Sequence, residues 1–296
     1  MLKIIKNFFN GLVLGMTQIV PGLSGGTVAI IMGFYFELIS AINNFRKNIK
    51  KNLAFLLPFI IGMVLGLLLL GSITKYLLDE FSFPTMLFFI GLIFGIIPHV
   101  YTKVKQKGSR FKLMEIILIV IPFVLLLALS FFKKGESAAN PQEMINSMTI
   151  PYMVFLFFAG VIAAAALIVP GFSGSFVLLM LGILPLALHT IDLIRIFLTD
   201  MSNTAILLDI CKVLIPLGLG LIIGILLMAK LIEKLLFNYE KMVYAAILGL
   251  LLGSIYPLFM DPIVYQSGIS AGMISIGIGT FLLGSGLAYL SGRKRL

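Results

Sequence analysis

Six stretches of this chain, residues 53–75, 84–102, 113–132, 206–229, 243–260 and 269–291, are each apolar with very few charges. Crossing the hydrocarbon of a bilayer takes about 20 such residues as a helix. Backbone N–H and C=O groups find no water there, so the segments must be helical. The composition agrees, at 60% hydrophobic, 11% charged and a mean hydropathy of +1.14. A soluble domain carries about 25% charged residues, and no water-facing coat can be made from less than half of that. The expected class is an all-α polytopic membrane protein. The formal charge of +10 then points away from nucleic acid. Lys and Arg in loops orient the helices and meet anionic headgroups of the bilayer. Cys211 stands alone, which excludes an internal disulfide framework. Trp is absent, so an aromatic belt has to come from Tyr and Phe. Met1, Lys3 and Lys6 before an apolar run resemble a signal peptide, but no small-x-small cleavage site follows, and the segment is expected to be retained.

Two further apolar regions, 8–43 and 152–190, are interrupted near their middles by almost the same phrase. Residues 19–29 read IVPGLSGGTVA and residues 168–178 read IVPGFSGSFVL, with Pro21 and Pro170 lying 149 residues apart. Pro removes a donor and Gly tolerates backbone that other residues cannot adopt. Each phrase therefore ends one helix and starts another, at Ser24 or Ser173. The correspondence continues beyond it. Pro58, Gly62 and Gly66 match Pro216, Gly220 and Gly224 at an offset of 158, as Gly91 and Gly95 match Gly249 and Gly253. The chain reads as an internal duplication: a first repeat over 1–135, a linker over 136–151, and a second repeat over 152–296. Each repeat is a broken region followed by three spans.

The cations decide whether a broken region crosses once or returns to its own side. Hairpins that return place 17 of the 22 Lys and Arg on one face and 5 on the other, whereas single crossings split them 11 to 11. The positive-inside bias favours hairpins, with both termini cytoplasmic. A hairpin plus three spans is an odd number of crossings, so the repeats are expected to have inverted topology. Residues 8–20 cover only about 20 Å as a helix, which suits a re-entrant hairpin. The longer segments 24–43, 152–169 and 173–190 leave full-length tilted hairpins open. The linker is then extracellular.

Non-helical backbone at membrane depth is tolerated where protein buries it or water reaches it. Two breaks entering from opposite faces imply a shared polar cavity. Pro21, Gly22, Ser24, Gly25, Gly26 and Thr27 form one side, and Pro170, Gly171, Ser173, Gly174 and Ser175 the other. Helix starts expose N–H groups, hydroxyls add donors, and glycine lets an oxyanion approach, so the expected ligand is an anion. The plainer reading is that these are packing turns with Ser24 and Ser173 as N-caps. Gln18 and Thr17, one turn before the first break, are candidates to face the cavity or to pack helices. Glu37 suits an interfacial carboxylate. Lys75, Arg195 and Lys212 are accessory candidates on the outer half, each with a snorkelling alternative. His99 and His189 sit at span ends and can titrate. The run Lys103–Lys112 reads as a topology anchor. No metal or cofactor is called for.

At these motifs the sequence resembles the bacterial polyprenyl-phosphate transporters, PopT-like proteins first catalogued as a domain of unknown function. Pro21-Gly22-Leu23-Ser24-Gly25-Gly26-Thr27 and Pro170-Gly171-Phe172-Ser173-Gly174-Ser175-Phe176 follow the family's paired patterns, and GFYFELI at 33–39 supplies a further match with Glu37. The likeness covers essentially the whole chain. It implies a flippase that returns the C55 carrier lipid undecaprenyl phosphate from the outer to the cytoplasmic leaflet for cell-wall synthesis, with no protein partner specified. One departure is Gln18, where relatives often carry Asp or Glu three residues before the first Pro; an amide cannot carry a proton. The rival readings are an intramembrane polyprenyl-diphosphate phosphatase and a small-anion channel or transporter. Phosphoryl transfer needs cations and a nucleophile with a base, and neither motif contains Arg, Lys, His, Asp or Glu.

The hairpin topology is tested by cysteine labelling. Cysteines at Lys47 and Lys241 should react only from the cytoplasm and a cysteine at Ser137 only from outside. Outside labelling at position 47 overturns inverted repeats.

Overall fold

A computed structural model describes residues 2–18, 24–105, 112–131, 140–171, 173–265 and 268–295. Those residues hold helices and no strand. In order they are α1 (Leu2–Thr17), α2 (Gly25–Ile31), α3 (Tyr35–Asn43), α4 (Ile49–Leu65), a π-helical turn (Gly66–Leu70), α5 (Gly71–Glu80), α6 (Ser82–Val104) and α7 (Leu113–Phe131). There follow α8 (Pro141–Asn146), α9 (Ile150–Ile168), α10 (Gly174–Met180), α11 (Leu184–Thr199), α12 (Thr204–Phe259) and α13 (Ala271–Arg295). Five of these helices, α6, α7, α9, α12 and α13, are long and apolar enough to cross a membrane, and the bent pair α2–α3 raises the number to six. The chain is a multi-pass membrane protein.

Several boundaries differ from the sequence reading, each for a local reason. Residues 24–43 and 173–190 are not continuous helices. Each is cut after seven helical residues by a Gly-capped turn, at Gly33 (φ 68°) and Gly182 (φ 71°). In the first, the Phe34 N–H reaches the Ala29 carbonyl (3.0 Å) and the Gly33 N–H reaches Ile30 (2.9 Å). In the second, Ile183 reaches Leu178 (2.8 Å) and Gly182 reaches Leu179 (2.9 Å). This is the Schellman arrangement, which satisfies carbonyls that a helix end leaves open and needs glycine in the left-handed region. The α2–α3 bend is 119°. The span expected at 53–75 extends from Ile49 to Glu80 with the π turn inside it. Spans 206–229 and 243–260 are two arms of α12 that meet at Tyr239, where the backbone leaves the helix (φ −141°, ψ 44°); the first arm runs on past Ala229 through the charged stretch.

Several helix pairs meet at glycines. Lipid is as apolar as Leu, so association rests on close backbone approach. On α1 and α4 the contact is reciprocal: a Cβ on Gly11 would overlap the Phe59 carbonyl, and one on Gly62 or Gly66 would overlap that of Phe8 or Leu12. The contact of α9 with the first arm of α12 repeats it position for position. There Gly160 meets Leu217, Gly220 meets Phe157 and Gly224 meets Val161. A different rule governs the later spans. Gly91 of α6 receives the Phe281 carbonyl of α13, while its counterpart Gly249 of α12 receives that of Ile119 of α7. The helix α6 thus seats α13, and the second arm of α12 seats α7.

Two compact units result. One comprises Met1–Ser130, Val169–Phe172 and Ala229–Leu296, the other Phe131–Ile168 and Ser173–Met228. In the first unit every residue of α2 is buried, among fully covered side chains such as Phe34, Ile39, Met86, Ile93 and Leu251. In the second, Ile145 of the short helix α8 joins Leu156, Ile183, Leu186, Ile210 and Val213 in one apolar cluster.

The glycine contacts carry a sharp contrast on α12. Gly220→Ala should lower stability by about 1–3 kcal/mol, the usual cost of overpacking, because its Cβ would meet the Phe157 backbone. Gly218→Ala, where nothing lies within 4 Å, should be neutral. Thermal unfolding in detergent distinguishes them, and equal melting points refute close packing at Gly220.

Candidate functional site

Ser24 stands at the start of α2 in extended conformation (φ −80°, ψ 136°), yet its hydroxyl does not cap the helix. Instead Ser24 Oγ donates to the Val169 carbonyl (3.2 Å), 145 positions along the chain. Three residues later the relation is returned, as the Gly171 N–H donates to Thr27 Oγ1 (2.7 Å). Ser24 and Thr27 are 2% and 1% exposed. The loop 169–172 belongs to the same unit as α2, so these two bonds latch the second motif's break to the first motif's helix start inside one body. Gly171 is held at φ +80°, where a Cβ would come within 2.7 Å of the Leu250 carbonyl of α12. Only glycine fits, because both conformation and space forbid a side chain. Pro170 is buried beside it.

The other candidates divide by what they touch. Gly25 and Gly26 open α2 and are buried. Gln18 is half-buried, and its Nε2 donates to the Leu14 carbonyl (3.3 Å). The same nitrogen lies 3.1 Å from where a Gly25 Cβ would be, so Gln18 lies over the first turn of α2. Pro21 and Gly22 lie outside the described residues. In the second unit Ser173 accepts the Val177 N–H at its carbonyl (3.2 Å), and its Oγ pairs with that of Ser175 (2.8 Å). Gly174 is buried against α9, whereas Ser175 is exposed.

The accessory candidates stand in local ion pairs. Glu37 meets Lys6 at 3.9 Å with both side chains largely in the open, a pair worth little by itself. Arg195 pairs with Asp192 (3.1 Å) and Lys212 with Asp209 (3.0 Å), each within its own helix. The side chain of Lys75, in α5, lies outside the described set. Lys212 is nonetheless part of a longer chain of bonds in the second unit. Asp209 also accepts from Gln142 Nε2 (3.0 Å), whose Oε1 contacts His189 Nε2 (3.0 Å). Gln142 and Asp209 were not singled out by the sequence, since Gln142 sits in what reads as a linker.

A cleft of ≈ 340 Å³ opens between α3 and α12, lined by Phe36, Ile39, Ser40, Glu233, Glu240 and Tyr244 among others. Asn43 and Asn44 donate to the Glu233 carboxylate, the latter at 2.8 Å. Two carboxylates on its wall disfavour an anion there. The hydroxyls and backbone donors of the two motifs are chemically suited to hold an oxyanion and carry no charged group to cleave one.

Known proteins resemble this chain over most of its length. A polyprenyl-phosphate transporter of Staphylococcus aureus is 30% identical over 255 residues, covering 86% of this chain and 85% of that protein. A polyprenyl-phosphate transporter of Vibrio cholerae is 26% identical over 270 residues, covering 85% and 76% respectively. No solved structure matches. The sequence pattern of the family described as undecaprenyl phosphate translocase-like (VCA0040-like) matches residues 14–273. The chain therefore belongs to the undecaprenyl phosphate translocase-like family of membrane proteins.

Proposed function

We propose that this protein is a flippase that carries C55 polyprenyl phosphate from the outer to the cytoplasmic leaflet, with the phosphate held by the two Pro-Gly motifs. The observation that carries the reading is the latch. Ser24 Oγ–H and Gly171 N–H are strong donors, buried at a helix break and spent on neutral acceptors in this conformation. A neutral hydrogen bond nets roughly 0.5–1.5 kcal/mol, whereas one to a charged acceptor nets about 1.5–3. A phosphate monoester therefore outcompetes the latch for both donors. Its arrival would free the loop 169–172 from α2, and its departure would close the pair again.

The α2 and α10 helices have only seven residues each, so the helix dipole is a small part of the affinity. Hydroxyls, glycine-exposed amides and Gln18 are the larger part, and Ser173 with Ser175 offers the same chemistry in the second unit. The isoprenoid tail needs no protein cavity, since the many exposed Leu, Ile and Phe side chains face a medium as apolar as itself. The direction of transport and the cytoplasmic termini are part of this proposal and rest on the charge asymmetry and on the resemblance. A transporter is favoured over a phosphatase because both named relatives are transporters and the motifs lack charged residues.

The test is flipping of labelled polyprenyl phosphate by the purified protein in liposomes, with and without a pH gradient. Protein-dependent flipping is expected, and its absence under both conditions overturns the reading. Ser24→Ala removes a donor from both the latch and the bound lipid. The net loss is the difference between a charged and a neutral bond, about 1 kcal/mol or roughly fivefold in Kd. Unchanged lipid affinity returns Ser24 to a packing role.

A further inference from the structure

Residues 7, 10, 14, 17 and 18 of α1 lie on one face of the helix, at spacings of three and four. The face is Asn7, Asn10, Leu14, Thr17 and Gln18, and it points into the protein. Asn7, Asn10 and Thr17 are 6%, 3% and 2% exposed. Leu14 and Gln18 lie against Gly25, their atoms 3.1 to 3.8 Å from where its Cβ would stand. Asn10 Nδ2 is buried with no hydrogen-bond partner among the described residues. A buried donor without an acceptor is costly, and a native protein keeps one only for a reason.

The second repeat supplies the control. Its α9 makes the same packing arrangement, with Gly174 against Ala163 and Leu167 as Gly25 stands against Leu14 and Gln18. The positions matching Asn7, Asn10, Thr17 and Gln18, 149 residues on, are Leu156, Ala159, Ala166 and Leu167. Leu156, Ala159 and Ala166 are 0%, 1% and 2% exposed. The same helix is thus packed just as tightly with no polar atom on that face. Folding does not require the amides of α1.

We infer that this face is a polar seam along which the anionic headgroup of the transported lipid moves between the first motif and the Lys3–Lys6 end of α1. The inference deepens the function proposed above and rests on its choice of substrate. Thr17 and Gln18 form the inner end beside Gly25. Asn10 and Asn7 form the other end, about 10 and 15 Å away along the helix. Neutral amide donors suit the task, since conduction needs sites that attract an anion yet let it leave. A buried cation would hold it. The second repeat, with its apolar face, offers no equivalent seam, so the two halves are chemically unequal where their backbones are alike.

The experiment uses full-length protein in liposomes, carrying Cys211→Ser to remove the native thiol. Asn10→Cys should react with a small anionic sulfonate thiol reagent at least tenfold faster than Ala159→Cys, and added polyprenyl phosphate should slow that reaction. Asn10→Ala, which installs the residue of the second repeat, should melt at the wild-type temperature yet flip labelled polyprenyl phosphate at least tenfold more slowly. Equal thiol reactivity at the two positions, or wild-type flipping by Asn10→Ala, overturns the seam. If Asn10→Ala does not fold, the comparison of the two cysteines still decides. A parent protein that flips no polyprenyl phosphate overturns the substrate assignment alone, and the sulfonate reaction then judges the seam separately.

Discussion

Hydrocarbon offers no partner for a peptide group, so wherever this backbone leaves the helix at membrane depth the protein must supply the partner itself. Much of the architecture follows from that requirement. The Gly33 and Gly182 turns close their carbonyls by the same pair of backbone bonds, 149 residues apart. The break after Ile168 is closed by Thr27 and Ser24. A group that satisfies a break by hydrogen bonding is also a group that a better acceptor can claim. In the function proposed above, a structural necessity and an anion site use the same atoms.

What the sequence made legible was whatever depends on local pattern. Apolar stretches marked the spans, Pro-Gly marked the breaks, and glycines at matching offsets marked the positions where helices touch at closest approach. Gly62 and Gly220 illustrate this, since each receives the carbonyl of a matching phenylalanine, Phe8 or Phe157. The turns at Gly33 and Gly182 were missed because a left-handed glycine in an apolar run leaves the periodicity on either side intact. The continuation of α12 past Ala229 was missed because KLIEKLLFNYEK has the charge of a loop. Its Leu and Ile residues nonetheless recur at helical spacing.

The candidate site was legible in its residues and not in its bonds. Ser24 and Thr27 are plain in the motif, but their partners lie 145 and 144 positions away, and no local pattern reports such a distance. Asn10 shows the complementary case. Its amide is visible in any reading of α1, yet only burial distinguishes it from a surface asparagine, and only the apolar counterpart Ala159 shows that the fold can do without it. The two similar stretches make the molecule its own reference: matching positions reveal the packing, and mismatched ones isolate what packing does not need.

The seating of α13 on α6 bears on how the chain is made. The glycine face of α6 is complete once Val104 has been synthesised, but α13, which covers it, begins only at Ala271. At 5–20 residues per second, ribosomal synthesis leaves that face waiting about 10–30 s. During this interval the nascent first half holds an open groove in the membrane that a second nascent chain can fill. Pairing of α6 with its own α13 therefore competes with pairing to a second chain.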